Sequence, residues 1–281
     1  MKVLFVGTGL IGGSFSLAMR AGGFLSEAGG YSRNPANLDR SIALGIIDQK
    51  FDTLELGIQW ADWIILSIPV DVISKQLPGI LDQLRPGQVV IDFGSTKGKI
   101  CQVVADHPHR AQFIAAHPIA GTEYSGPDAA FATLFEEKLM IICEGDKTAE
   151  KALASFKEVC QGLKMRLELM EAKAHDRHLA YISHLSHITS FALSNAVLDK
   201  EKDGDIILEL AGSGFASTVR LAKSSPEMWA PIFMENKEMV LEALSNFLHK
   251  AEDFKKMLEE NDASGLQNFL ESGRNIRRVI N

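Results

Sequence analysis

The first twelve residues place the strongest constraint on this chain, because an apolar run over residues 3–6 leads directly into the pattern Gly7-x-Gly9-x-x-Gly12. The segment that follows, from Ser14, is predicted to be helical. A strand, a glycine turn and a helix N-terminus in this order are typical of a dinucleotide-binding unit, in which the glycines permit a tight turn and a close approach to the pyrophosphate. The helix N-terminus offers free N–H groups to the anion. The alternative is that these glycines serve only close packing of helix on strand.

The first half of the chain alternates short apolar segments with segments of helical length, which predicts an α/β Rossmann domain with a doubly wound parallel sheet. The further predicted strands are residues 28–31, 63–68, 89–93, 113–116, 139–143 and 164–170. Beyond residue 170 the periodicity is helical almost throughout. We therefore expect a dinucleotide-binding domain over residues 1–170 and an all-helical substrate and dimerisation domain over residues 171–281.

Three long helices are predicted in the second half, over residues 172–198, 226–260 and 265–280, with a charged break over residues 198–204. Some of their faces are more apolar than a small bundle needs, which favours a homodimer over simple packing of these faces on each other. The residues of these faces are Ile188, Phe191, Ala192, Trp229, Ile232 and Phe233.

Composition excludes several partners and sites. The net charge of -7 argues against nucleic acid and anionic membranes. The three cysteines, Cys101, Cys143 and Cys160, have no metal or redox spacing and are typical of a reduced, cytoplasmic protein. No apolar run approaches the roughly 20 residues of a membrane span, and the N-terminus lacks the features of a signal peptide.

Polar residues follow two of the predicted strands, where ligands bind in a doubly wound sheet. Ser95 and Lys97 come after the strand ending at Phe93, and His117 follows the strand of residues 113–116. An imidazole at this edge can remove a hydroxyl proton while hydride leaves the same carbon. A histidine before a proline can equally be structural.

Two more clusters lie in the helical half. The first, on the first long helix, consists of His175-Asp-Arg-His178 and Ser183-His184-Leu-Ser-His187. His184 and His187 are three residues apart and share a helix face, but no carboxylate or cysteine is placed to complete a metal site, so no metal is predicted. They can instead form a buried polar patch at a domain boundary. Arg220 follows a glycine-rich stretch and suits either a substrate carboxylate or a surface ion pair.

Together these clusters resemble the prephenate/arogenate dehydrogenase family of tyrosine biosynthesis, over essentially the whole chain. The motifs that carry the resemblance are Gly7-x-Gly9-x-x-Gly12, Asp92-x-x-Ser95-x-Lys97, His117-Pro-x-x-Gly121, Ser183-His-Leu-x-His187 and Thr218-x-Arg220 with Met228-Trp229. The resemblance implies a Rossmann domain, a helical dimerisation domain, and oxidative decarboxylation of prephenate to 4-hydroxyphenylpyruvate.

The resemblance also implies roles for individual residues. His117 is the base on the C4 hydroxyl, Ser95 hydrogen-bonds that hydroxyl, and Arg220 holds a carboxylate. The remaining substrate-binding residues are His187, Ser183, Thr122, Glu123 and Trp229, the last of which is expected to reach in from the partner subunit. The cofactor-binding set is Gly7, Gly9, Leu10, Ile11, Gly12, Ser32, Arg33, Ser67, Pro69 and Ser95.

Two positions depart from the common pattern. The predicted second strand ends at Tyr31 without the acid that holds the ribose of NAD, and Ser32 and Arg33 favour NADP over NAD. Ser186 replaces a proline that is common in the family, which predicts an unkinked helix here.

Other activities remain open at this stage. Arogenate differs from prephenate by an amino group on the side chain, and Glu123 can pair either with that ammonium or with Arg220. A β-hydroxyacid dehydrogenase or imine reductase has a similar layout but uses a lysine of the helical domain. A nucleotide sensor without turnover needs no base at the position of His117.

Overall fold

The computed structural model describes residues 1–122, 124–202 and 207–279 of the chain. Its centre is an eight-stranded sheet with the order β3-β2-β1-β4-β5-β6-β7-β8. The strands are β1 (Lys2–Val6), β2 (Glu27–Tyr31), β3 (Gln49–Lys50), β4 (Trp63–Leu66), β5 (Val89–Asp92), β6 (Phe113–Ile119), β7 (Leu139–Cys143) and β8 (Arg166–Met170).

The sheet is doubly wound, with β1 between β2 and β4, so the predicted fold class is confirmed. One pairing differs from the predicted parallel sheet: β7 runs antiparallel to β6, with Ala115 opposite Cys143. Among the described residues of the connection between them, the only helical element is the 3-10 turn Pro127–Ala129. A parallel pair usually has a crossover helix in its connection, whereas loop and short turns are typical of an antiparallel return.

The helices are α1 (Leu10–Ala21), α2 (Pro35–Ala43), α3 (Leu54–Trp60), α4 (Val70–Leu81), α5 (Gly98–Gln102), α6 (Glu150–Gly162), α7 (Ala172–Leu179), α8 (Leu185–Lys202), α9 (Ser213–Thr218), α10 (Pro226–Glu235), α11 (Lys237–Glu259) and α12 (Ala263–Arg274). Asn34 and Thr53 cap α2 and α3 by accepting backbone N–H groups. Such caps satisfy donors that a helix leaves free at its N-terminus.

Alternation along the strands builds a core on each face of the sheet. Val3 and Phe5 of β1 belong to one core, with residues of α1, α2 and α6, whereas Leu4 and Val6 belong to the other, with residues of α3, α4, α7 and α10. Buried parallel strands have both faces covered in this way. On this second face of the sheet α7 packs against α5 and α10 packs against α4.

The helix predicted over residues 172–198 is interrupted by a π-helical segment, Ala180–His184, between α7 and α8. Ser186 keeps its backbone N–H and so does not break the helix, as predicted. The interruption is of another kind, an i→i+5 turn, which occurs mostly at functional sites. It sets the angular position of His184 and of every residue after it relative to α7.

Residues Met1–Asn236 form one compact unit and Lys237–Asn281 a second. The predicted boundary at residue 170 falls inside the first unit, because α7 packs against α5, and it stays a prediction. The single helix expected over residues 226–260 is divided at Asn236 into α10 and α11. In the second unit Phe254 and Phe269 pack edge to face with ring centroids 5.6 Å apart.

The expectation that Trp229, Ile232 and Phe233 form spare surface is wrong. Trp229 and Ile232 are 8% and 3% exposed and belong to the core beneath α10, with Phe233 packed against it. Helical periodicity reveals an apolar face but not what covers it. No helix in the described part of the chain is long and apolar enough to cross a membrane, and the three cysteines are buried and unbridged.

Candidate active site

The glycine loop, residues 7–12 between β1 and α1, has a shape that only glycine permits. Gly7 has a φ of +91°, and its N–H donates to Tyr31 O at 2.9 Å. A Cβ on Gly12 would lie 2.2 Å from both Gly7 O and Ser67 Oγ. Ser67, at the end of β4, donates to Gly7 O at 2.7 Å, so this predicted cofactor residue supports the loop. Pro69 is exposed and precedes α4.

The N-terminus of α1 is open to an anion. No side chain caps the helix at Gly9, and the N–H groups of the first turn, which includes Leu10 and Ile11, have no intrahelical acceptor. A Cβ added to Gly9 would meet nothing closer than Gly126 N, at 3.9 Å. An uncapped helix end below open space fits the pyrophosphate of a dinucleotide.

The end of β2 carries no acid, as the sequence indicates. Ser32 is half-buried directly after Tyr31, and its hydroxyl accepts the N–H of Asn34 at 3.2 Å. Arg33 is exposed. The nearest downstream acid, Asp39, lies within α2 and pairs with Lys50 of β3, at 2.5 Å. Hydroxyl and guanidinium groups are therefore what this end of the strand offers to a ribose or its phosphate.

Lys97 is fully buried, although lysine is almost never so unless it is paired. Its ammonium contacts the carboxylate of Asp92, also fully buried, and donates to Ala116 O at 2.8 Å. Because Ala116 precedes His117, this bond holds the chain immediately before the candidate base. Ser95 lies half-buried in the same turn, which follows the strand that pairs with β6.

His117 lies at the carboxyl end of β6 and keeps some exposed surface. Its Nδ1 is 2.8 Å from Nε2 of His175. Burial, followed by the positive charge available on His175 and Lys97, holds the pKa of His117 well below its ordinary value. The imidazole is therefore neutral at pH 7 and has an unprotonated nitrogen, as a general base requires.

The sequence places His175 and Asp176 in a polar cluster but assigns neither of them a role. Both are buried on α7, and Nδ1 of His175 is 2.8 Å from Oδ1 of Asp176. Asp176 also accepts the N–H of Lys97 and of Gly98, each at 2.7 Å. Neighbouring positions on a helix do not normally face one target, so the sequence pattern contained no signal for this arrangement.

The π-helical segment brings His184 into the same region. His184 is 1% exposed, and burial lowers its pKa to about 4. Asn236 donates to Asp176 O at 2.8 Å and lies 3.2 Å from Nδ1 of His184. We refer to His117, His175, His184 and His187 as the histidine cluster.

His187 stands at the more open end of this cluster. Its ring stacks on Trp229 of the same chain, with centroids 3.5 Å apart, so this contact needs no partner subunit. Since Ser183 O can only accept, Nδ1 of His187 donates to it, at 3.0 Å. Burial lowers the pKa of His187, and Arg220 is close enough to lower it further. Arg220 itself is exposed.

The other expected substrate residues are less closely tied to this region. Thr122 is exposed, and its hydroxyl accepts the N–H of Tyr124 at 3.2 Å. Glu123 lies outside the described residues. Within the described ranges, no group of three His, Cys, Asp or Glu side chains is arranged to hold a metal ion.

Two family models match the chain in succession. The model for the nucleotide-binding domain of prephenate dehydrogenase matches residues 15–169, and the model for its dimerization domain matches residues 171–272. The prephenate dehydrogenase of Lactococcus lactis is 30% identical over 99% of this chain and 77% of its own length.

Solved structures give the same result. Prephenate dehydrogenase from A. aeolicus, in complex with hydroxyphenyl propionate and NAD+, is 31% identical with a TM-score of 0.90, over 100% of this chain and 98% of that one. Synechocystis arogenate dehydrogenase is 29% identical with a TM-score of 0.80, over 99% of both chains.

Proposed function

This chain belongs to the prephenate dehydrogenase family, and we propose that it oxidises and decarboxylates prephenate to 4-hydroxyphenylpyruvate and CO2 with NAD or NADP. The observation that carries the proposal is the neutral imidazole of His117 at the carboxyl edge of the sheet that also holds the glycine loop. A base at this edge stands where a hydroxyl beside a bound nicotinamide would lie.

The bound cofactor supplies the hydride acceptor for C4 of the substrate ring. His117 takes the proton of the C4 hydroxyl as the bond between C4 and its hydrogen breaks. Loss of CO2 from C1 leaves its bonding electron pair in the ring, which becomes aromatic, and His117 returns the proton to the phenol oxygen. Ser95, half-buried in the turn after β5, hydrogen-bonds the same hydroxyl and holds it towards the imidazole.

Substrate carboxylates bind at the open end of the histidine cluster. Arg220 is exposed near His187 and pairs with a carboxylate through its guanidinium. The indole N–H of Trp229 is buried and has no acceptor among the described residues, so it is free to donate to the substrate. With its Nδ1 proton directed at Ser183 O, His187 presents an unprotonated Nε2 to the substrate or to the nicotinamide.

Thr122 lines the remaining side of the substrate pocket, and Glu123, its neighbour in the sequence, is a further substrate-binding residue. A dianionic substrate accounts for the gathering of arginine and histidine side chains in one part of a chain whose net charge is -7.

For the cofactor, Gly7, Gly9, Leu10, Ile11 and Gly12 hold the pyrophosphate. Ser67 keeps this loop in shape, and Pro69 and Ser95 line the nicotinamide side. Ser32 and Arg33 bind the adenine ribose and favour its 2′-phosphate, which makes NADP the preferred form. The NAD+ complex of the A. aeolicus relative supports use of NAD as well.

The chain forms a homodimer through its helical half. Apolar side chains are exposed on α8 and in the segment after it, where Leu193, Leu198 and Leu210 are 37%, 44% and 85% exposed. Leu210 lines a groove together with Val197, Ile207 and Phe215, among others. Exposed apolar surface of this kind commonly marks an interface, and the match to a dimerization domain supports it here. We also propose a cytoplasmic location, which the three unbridged cysteines support.

The second candidate function is arogenate dehydrogenase, supported by the similarity to the Synechocystis enzyme. The test is a comparison of kcat/KM for prephenate and arogenate with NAD+ and NADP+. The absorbance of the reduced nicotinamide measures each rate. Turnover of prephenate is expected. If only arogenate is oxidised, the second candidate replaces the first, and if neither is oxidised, both are wrong.

A further inference from the structure

A continuous line of hydrogen bonds leads from the candidate base into the protein interior. Nδ1 of His117 is 2.8 Å from Nε2 of His175, and Nδ1 of His175 is 2.8 Å from Oδ1 of Asp176. His117 lies near the carboxyl end of β6, whereas the other two residues belong to α7, and His175 is 58 positions from His117 in the sequence. His175 is completely buried, so water does not compete for either of its ring nitrogens.

The carboxylate of Asp176 determines which nitrogen carries each proton. Its Oδ1 accepts the N–H of Lys97 and its Oδ2 that of Gly98, each at 2.7 Å. An ionised carboxylate has only acceptors, so Nδ1 of His175 must be the protonated nitrogen in its bond with Asp176. Nε2 of His175 is then unprotonated, and its lone pair accepts a hydrogen bond from the N–H at Nδ1 of His117.

This arrangement leaves Nε2 of His117 as the unprotonated nitrogen. In a neutral imidazole one nitrogen is a donor and the other an acceptor. Because Nδ1 is committed to His175, the acceptor is Nε2, the nitrogen that the bond to His175 does not occupy. A proton that moves from an alcohol to Nε2 would form an imidazolium whose charge is shared through His175 with Asp176.

Backbone geometry brings the carboxylate to this point. A Cβ on Gly98 would lie 2.7 Å from Oδ2 of Asp176, so a side chain at position 98 would push the carboxylate away. The side-chain amide of Asn236 donates a hydrogen bond to the backbone carbonyl of Asp176, at 2.8 Å. Gly98 thus holds the carboxylate of Asp176, and Asn236 holds its backbone.

We propose that His175 and Asp176 are positioning residues that hold His117 in the Nδ1–H tautomer, so that its Nε2 is free to take the proton of the substrate alcohol. This inference rests on the proposed function for the identity of the alcohol, but not for the tautomer. It differs from a purely structural role, in which the three side chains only tie α7 to β6 and the proton positions do not matter.

The tautomer is measured directly by long-range ¹H–¹⁵N correlation spectra of the whole protein at pH 7.5. The His117 signals are assigned by their loss in His117→Asn. Wild type is expected to show Nδ1–H on His117, and Nε2–H in the wild type would overturn the proposal without any variant. In Asp176→Asn, an amide N–H₂ facing His175 reverses both bonds, so His117 is expected to change to Nε2–H.

Kinetics then separate positioning from structural support. His175→Gln keeps an acceptor oxygen close to the place of Nε2, whereas His175→Leu has none. We expect His175→Leu and Asp176→Asn to lower kcat about 100-fold or more, the size of a general-base contribution, with the dinucleotide Kd unchanged. His175→Gln is expected to recover kcat to within about 10-fold of wild type.

His178→Gln is the matched control, because His178 is exposed on the same helix. It should leave kcat and the His117 spectrum as in wild type. Equal losses in His175→Gln and His175→Leu with an unchanged tautomer would show a merely structural role and overturn the proposal. So would a kcat within threefold of wild type in Asp176→Asn. If wild type oxidises neither prephenate nor arogenate, the proposed function fails while the spectra still decide the tautomer.

Discussion

The glycine loop and the histidine cluster lie at the same edge of the sheet and differ in how the chain builds them. The glycine loop is local: its constraints act among residues 7–12 and the neighbouring strand ends, and they are mostly steric. The histidine cluster draws on β6, α7, the π-helical segment and α8, and it depends on hydrogen bonds and on burial. A local steric site can be recognised from a short motif, whereas a site assembled from distant elements cannot.

The largest expected effect separates the two regions. His117→Asn removes the base but leaves the glycine loop intact. We expect kcat to fall by about 100-fold to 10,000-fold, the usual range for a general base, with the dinucleotide Kd unchanged. Single-turnover kinetics and a fluorescence titration with NADH measure the two quantities. Loss of both together would mean that the regions are one coupled unit and would break the comparison.

The second prediction concerns burial in the histidine cluster. The folded-state pKa of His184 is about 4, while the unfolded value is about 6.5. Between these values the unfolded state binds the proton more readily, so the free energy of unfolding falls as pH drops from about 7 to 4. The loss is about 3 kcal/mol for this group alone.

Urea unfolding at pH 7.5 and pH 4.5 tests this sign. In His184→Gln the loss between the two pH values should shrink. The exposed His249→Gln serves as the control and should behave as wild type. A stability that rises toward acid pH would contradict the burial of neutral imidazoles in this cluster.

The third prediction concerns the steric limits of the glycine loop. Gly12→Ala places a Cβ within 2.2 Å of Gly7 O and Ser67 Oγ. We expect a loss of about 1–3 kcal/mol in the free energy of unfolding, as for overpacking, and a weaker dinucleotide Kd. Gly79→Ala, inside α4 with nothing within 4 Å, is the matched control and should be neutral or stabilising. Equal behaviour of the two variants would show that the loop can relax.

The fourth prediction tests whether substrate binding can be separated from chemistry. Arg220→Gln removes a guanidinium near His187 and should raise the KM for prephenate by about 10-fold or more, with a small change in kcat. Lys223→Gln, exposed in the same 3-10 turn, is the control. An unchanged KM in Arg220→Gln would exclude its anchoring role.

The smallest expected effect lies at the outer end of the cofactor site. Arg33→Ala should weaken NADP+ by a few-fold to about 10-fold and leave NAD+ nearly unchanged, because a 2′-phosphate pairs with arginine and a hydroxyl does not. The ratio of kcat/KM for the two cofactors measures this effect. A fall of equal size for both would place Arg33 outside the ribose site.

Sequence alone predicts the parts of this molecule that depend on local pattern. The strands around β1, the glycine loop and the helical character beyond residue 170 follow from apolar periodicity and from glycine spacing. His117 and Ser95 are predicted from their positions after strands. The antiparallel direction of β7 is not predicted, because the sequence of a short apolar strand does not determine the direction in which it runs.

Other features depend on contacts between distant residues. His175 and Asp176 acquire meaning only when α7 packs beside β6, which a linear pattern does not show. The π-helical segment leaves no mark in the hydrophobic spacing of residues 172–198. Trp229 and Ile232 look like free surface because periodicity does not record that α10 packs against α4 and buries them in the core.

The extra residue of the π-helical segment makes it possible to change the length of this helix without changing the side chains of the site. An α-helix turns by about 100° for each residue. Deleting one residue between positions 180 and 184 would turn its i→i+5 bonds into the i→i+4 bonds of an α-helix and leave His187 and the rest of α8 at their present angle to His175, whereas the same deletion in the regular part of α8 would rotate every later residue by about that angle. The π-helical segment is therefore the place where this helix can be shortened without turning its substrate-holding half away from its proton-handling half.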